Sequence, residues 1–137
     1  MSEDFASAAV RHFRDGTLLE GERRIPNADQ LFGFAAECAI KSALVGLPGC
    51  ADSGGLARKH VVHIDELWGR AQLQSIQKRY PGLMAVLKGL QQPFADWSTN
   101  QRYGPDDIVT EEVLKCHHRA ALRVLGSVGL SGVRREE

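Results

Sequence analysis

The chain has 137 residues, of which 43% are hydrophobic and 25% charged. These are the proportions of one ordinary globular domain, and they exclude wholesale disorder and a collagen-like repeat. Lys plus Arg number 17 and Asp plus Glu number 17, so the molecule as a whole does not attract phosphate backbones and any nucleic-acid surface has to be a local patch.

Three widely spaced cysteines, Cys38, Cys50 and Cys116, include no CxxC pair and suit free thiols in a reducing compartment. The opening residues lack the basic and apolar regions of a secretory signal, and the longest mostly apolar stretch, Leu31 to Leu47, is interrupted by Glu37 and Lys41. The expectation is a soluble, cytoplasmic protein with no membrane partner.

β-branched residues are sparse, and apolar spacings of three and four recur, so the periodicity predicts helices. The first spans Ser2 to Gly21, with Ser2 as N-cap and Phe5, Ala9, Val10, Phe13 and Leu18 inward. Pro26 ends it. Asn27, with Gln30 three residues on, reads as a capping box that opens a second helix running to Val45. That helix is apolar almost all round, which predicts the central, most buried element. Its polar exceptions are Gln30, Glu37 and Lys41, the last two one turn apart and able to pair.

From Leu47 to Lys59, Pro48 and the glycines Gly49, Gly54 and Gly55 predict a long loop. These glycines do not spell a nucleotide-binding GxxxxGK[ST] and read as flexibility. A third helix is expected from His60 to Arg79. Tyr80, Pro81 and Gly82 break it before a shorter fourth carrying Leu83, Val86, Leu87 and Leu90. Pro93 to Ile108 is a second irregular connection. Thr110, followed by Glu111 and Glu112, caps the last helix, which ends near Gly126 or Gly129. The fold expected is all-α, an antiparallel up-and-down bundle of four to five helices forming one domain over residues 1–130, with a frayed tail at 131–137.

Few residues stand out chemically. His117 falls on the inward arc of the last helix, either as a core histidine bonded to a neighbour or as a site residue, whereas His118 at the edge of the arc reads as solvated. His60 and His63, spaced i,i+3 near Asp65 and Glu66, could face a metal, but nothing specifies further ligands. The reading preferred is a solvated helix start with no metal or other cofactor. Cys38 reads as packing rather than a nucleophile. Trp97, Arg102 and Tyr103 either pack over the bundle or offer a stacking and charge-recognition surface. The basic pairs Arg23 with Arg24, Lys78 with Arg79 and Arg119 with Arg123, and the cluster Arg58, Lys59 and His60, are solvated faces unless they converge.

The run LLEGERRIPNADQLFGFAAECAIKSALV, the later HVVHIDELW, and WSTNQRY before a last amphipathic helix resemble the HEPN superfamily, the higher-eukaryote and prokaryote nucleotide-binding helical bundles. The similarity covers about Phe5 to Leu125. It implies a four- or five-helix bundle, a homodimer, and association with a nucleotidyltransferase or antitoxin-like protein. Active members of that family are metal-independent ribonucleases whose signature is an Arg, four to six residues, then a His. Counted from Arg102, those positions hold Asp107, Ile108 and Val109. Arg58 to His63 has the spacing but lies earlier in the chain.

The leading expectation is a noncatalytic binding or assembly module, dimeric, that engages a partner protein, nucleotide or RNA. Its polar groove is expected near Glu37, Lys41, Arg102 and Tyr103, with Arg102 paired to Glu37 and with Trp97 and His117 as further ligand contacts. The alternative is a metal-independent endoribonuclease of a toxin–antitoxin type using Arg58 and His63. A tetratricopeptide-like scaffold is a third.

Overall fold

The computed structural model describes residues 3–52 and 55–130. Ser2, Gly54 and the tail at 131–137, for which a cap, loop flexibility and fraying were expected, lie outside the described residues.

The first helix, α1 (Phe5–Gly21), is capped by Asp4, whose carboxylate accepts from Ser7 N at 2.9 Å and from Ser7 Oγ at 2.8 Å. At its other end Arg24 N donates to Leu19 O and Arg23 N to Glu20 O, the two bonds of a Schellman turn. The left-handed position of that turn is normally glycine and is here Arg23, with φ +64°.

Helix α2 (Ile25–Leu44) follows at once, with Pro26 in its first turn, where no backbone donor is needed. The expected Asn27–Gln30 capping box does not form. The Gln30 side chain donates instead to Ser98 O at 2.8 Å, because the 94–103 segment covers this end of the helix.

Helix α2 is the buried centre that its composition predicts. Ala28, Phe32, Ala35, Ala36, Ala39, Ile40, Ala43 and Leu44 are all at most 1% exposed. The alanines let neighbouring backbones approach, and burying Phe32 alone is worth about 2–3 kcal/mol. Phe13 packs on Phe32 and His12 on Phe34, with centroids 5.4 and 5.9 Å apart, while Lys41 Nζ lies over the Phe5 ring. The pairing runs in opposite directions along the two helices, so α1 and α2 form an antiparallel hairpin.

The first connection contains a two-stranded hairpin, β1 (Ala51–Asp52) with β2 (Gly55–Leu56), in the register Ala51 to Leu56 and Asp52 to Gly55. The single helix expected from His60 to Arg79 is in fact three pieces. A 3₁₀ turn covers Arg58–His60, then come α3 (Ile64–Arg70) and α4 (Gln74–Arg79). His63 and Leu73 take extended backbone at the two breaks. Ile64, Leu67, Trp68, Ala71 and Ile76 are nevertheless all at most 1% exposed, so α3 and α4 both face the core.

Helix α5 (Pro81–Gly89) starts on its proline and is tied to α3 by Trp68 Nε1 donating to Leu87 O at 2.9 Å. The second connection includes a 3₁₀ turn over Thr99–Tyr103, opened by a capping box between Ser98 and Gln101. Helix α6 (Glu111–Ser127) has Thr110 as N-cap, its hydroxyl accepting from Val113 N at 3.2 Å.

Arg23 pairs with Glu111 and Glu20 with His118, so α6 runs against α1 and in the same sense as α2. The all-α bundle expected from the periodicity is the fold observed, with six α-helices among the described residues. No helix among them is long and apolar enough to cross a membrane.

Candidate functional site

Polar side chains along α2 create two buried stations. The first is Asp29, fully buried in the first turns of the helix. Its Oδ1 lies 2.6 Å from His117 Nδ1 on α6, and its Oδ2 accepts from Gln101 Nε2 at 2.7 Å. Its backbone oxygen accepts from Trp97 Nε1 at 3.1 Å. The other ring nitrogen of His117, Nε2, lies 2.9 Å from Asp96 Oδ1. Phe94 stacks on the imidazole face at 4.8 Å between centroids.

A neutral imidazole carries one N–H and cannot satisfy two carboxylates, so this geometry calls for the doubly protonated ring. Burial by itself disfavours that charge, but the hydrogen bonds and charges of Asp29 and Asp96 outweigh it and hold the His117 pKa above its ordinary value.

Trp97 reaches this station through a close approach at Gly33, where an added Cβ would stand 2.1 Å from the indole. Trp97 is therefore packed, 1% exposed, and is not a stacking surface for a ligand. His117 is likewise a bonded core histidine closed to ligands. His118, expected to be solvated, stacks on Phe32 at 4.5 Å and bonds Glu20.

The second station is Glu37. Its Oε2 accepts from Lys41 Nζ at 2.9 Å, and its Oε1 accepts from Ile64 N and lies 3.1 Å from His63 Nδ1. A carboxylate thus sits at the start of α3, where backbone N–H groups need an acceptor. Glu37 and Lys41 are nearly buried while the His63 side chain is 55% exposed. The pair expected between Glu37 and Lys41 is formed. The expected pair between Glu37 and Arg102 is not, since Glu37 already has three partners and Arg102 lies elsewhere. Cys38 beside this station has its thiol pushed up to about 11 by burial, which fits packing rather than nucleophilic chemistry.

Arg102 and Tyr103 are at the end of the bundle where α2 begins. Tyr103 is 77% exposed, with the Arg102 guanidinium 4.7 Å above its ring. Arg102 also lines a cleft of about 330 Å³ together with Arg23, Arg24, Pro26, Asn27, Gln101 and Asp106. Glu37, Lys41, Arg102 and Tyr103 are therefore two separate places rather than one groove. Of the basic clusters read in the sequence, Arg23 and Arg24 converge with Arg102.

Arg58 sits in the 3₁₀ turn, and among the described residues no hydrogen bond or ion pair joins it to His63. His60 is buried, with its pKa lowered by burial, while the His63 ring lies on Glu37. Among the described residues no three His, Cys, Asp or Glu side chains gather as metal ligands.

Sequence reading missed Asp29, Asp96 and Gln101. A signal was available for Asp29, an acid inside an otherwise apolar helix; Asp96 lies in irregular chain and Gln101 in a short 3₁₀ turn, where no periodicity marks a face.

The fold and its polar stations define an all-α bundle with an arginine-lined end cleft and a carboxylate–imidazole–carboxylate bridge whose imidazole and Asp29 carboxylate are buried and whose Asp96 carboxylate is exposed. Comparison with protein-family models, with curated proteins and with solved structures finds no match to this chain.

Proposed function

We propose that this chain is a noncatalytic binding module of the HEPN type, which takes a nucleotide or RNA at the cleft lined by Arg23, Arg24 and Arg102, with the exposed Tyr103 ring next to Arg102 outside the lining. The observation that carries the reading is the exposed Tyr103 ring with Arg102 over it, beside two further arginines in one cleft. An open aromatic face accepts a base, and arginines recognise phosphate through planar, paired donors. The net charge of zero suits a local patch of this kind. His117 is enclosed by two aspartates, which supports a binding role over chemistry at that residue.

A short single-stranded oligoribonucleotide, followed by fluorescence anisotropy at low salt, tests the reading. Arg102→Ala with Tyr103→Ala lowers affinity at least about tenfold, while Lys78→Ala with Arg79→Ala on α4 leaves it unchanged. Equal affinities across these variants, or no binding by the unaltered chain, count against it. The homodimer, and the nucleotidyltransferase or antitoxin-like partner that the resemblance implies, belong to the same proposal. Light scattering and co-purification with the neighbouring gene product test them.

The Glu37–His63 contact favours a second reading, a metal-independent endoribonuclease. A carboxylate on Nδ1 orients an exposed imidazole as a general base is oriented. Cleavage of RNA in chelator, lost in His63→Ala and retained in His117→Ala, would replace the first reading with this one.

A further inference from the structure

We infer that the Asp29–His117–Asp96 bridge is a proton-dependent clasp that positions the segment carrying Arg102 and Tyr103. The link to ligand affinity rests on the binding role proposed for that cleft, whereas the clasp itself stands on geometry alone.

Asp29 joins three parts of the molecule. It holds His117 of α6 by one oxygen, Gln101 by the other, and Trp97 by its backbone oxygen. Gln101 immediately precedes Arg102, and its Oε1 also accepts from Ser98 N at 3.2 Å. The segment from Asp96 to Tyr103 thus hangs from the first turns of α2, and His117 fastens its leading end through Asp96.

Among the described residues, the charged groups that face His117 are these two carboxylates, one from α2 and one from the segment after α5. They differ in one respect that decides the outcome: the Asp29 side chain is 0% exposed and that of Asp96 59%. When the ring loses one proton, a single N–H remains. It stays with Asp29, because a buried carboxylate deprived of a donor is costly and an exposed one is rehydrated by water. The bare Nε2 lone pair then faces the Asp96 oxygen, an acceptor facing an acceptor, and Asp96 swings to solvent. His117 is in this sense a positioning residue that acts on the cleft through Asp96 and Asp29.

Ring ¹⁵N shifts and amide hydrogen exchange, followed across pH on the full chain, test the clasp without any ligand. At pH about 6 both His117 ring nitrogens carry protons. Above its titration step the amides of residues 95–98 exchange at least about fivefold faster after correction for intrinsic rates, while those of α1 and α2 do not. Asp96→Ala, a surface change, shows the faster exchange at every pH and no step. Asp96→Asn keeps an acceptor but removes a charge, and moves the step to lower pH. A neutral His117 ring at pH about 6, or a ring titration that leaves exchange of residues 95–98 unchanged, overturns the inference.

Hexauridylate affinity falling about threefold across the same step ties the clasp to the cleft. Affinity that stays flat while exchange steps overturns the positioning role. Absence of binding at any pH overturns the binding role alone, the clasp being judged by its ring and amide signals.

Discussion

His117 Nδ1 lies 2.6 Å from Asp29 Oδ1, across 88 positions of sequence, with neither side chain more than 1% exposed. The contact fixes α6 against the start of α2, and each group is affordable in the core only because the other is present.

Replacing either residue by Ala should therefore be severe and replacing both much less so. His117→Ala leaves Asp29 buried without its charged partner, at a cost of about 3–5 kcal/mol. Asp29→Ala leaves the imidazole with Asp96 alone and removes the acceptor of Gln101 Nε2, while the backbone oxygen that accepts from Trp97 Nε1 remains. The double variant, measured by urea unfolding, should show a coupling energy of about 2–3 kcal/mol. Additive losses would mean that the two side chains act independently.

Stability should peak near neutral pH, for opposed reasons on the two sides. The folded pKa of His117 is raised above 6.5, so its contribution is complete below 6.5 and is lost as pH rises through the folded value. Burial lowers the pKa values of His12 and His60 from the same 6.5, so their contributions are present above it and lost as pH falls through their folded values. Unfolding free energies at half-unit intervals of pH should trace both limbs. Asp96→Ala should shorten the alkaline limb and leave the acid limb in place.

Gly33→Ala should disturb the second connection more than the helix that holds it. The new Cβ would stand 2.1 Å from Trp97 Cε2 and 2.2 Å from its Nε1, so the indole has to move and its bond to Asp29 O breaks. A loss of about 2–4 kcal/mol is expected, with a red shift of indole emission as Trp97 meets water. Circular dichroism should show the helix content retained, since Ala is the better helix former.

Arg23→Gly should separate binding from folding. Glycine accepts the left-handed φ of +64° without a Cβ penalty, while the substitution removes the paired hydrogen bonds to Glu111 at 2.6 and 3.2 Å. Those bonds hold the guanidinium charged and the carboxylate ionised. With the two effects opposed, the melting temperature should stay within about 3 °C of the original. Oligoribonucleotide affinity should fall, because one of the three arginines of the cleft is gone. A large drop in melting temperature with affinity unchanged would make Arg23 a structural residue only.

Much of the fold was legible in the chain because burial is written in local spacing. The all-round apolar pattern from Leu31 to Val45 could be satisfied only at the centre of a bundle, and Pro81 and Thr110 mark the starts of α5 and α6 by their own backbone chemistry. The failures were at junctions. His63 breaks the expected third helix because Glu37, 26 positions earlier, supplies the acceptor for Ile64 N, and no local rule contains that partner. Gln30 left its capping role for Ser98 for the same reason.

The sequence by itself determined the helical class, the central place of α2 and the pairing of Glu37 with Lys41, all of which follow from residues within a few turns of one another. Tertiary structure alone decided that His117 bridges two aspartates, that Trp97 is buried on Gly33, and that Arg102 joins Arg23 and Arg24 instead of Glu37. Spacing along a helix tells which side chains face inward, but which of them meet depends on how distant segments cross, and that is fixed only when the whole core closes.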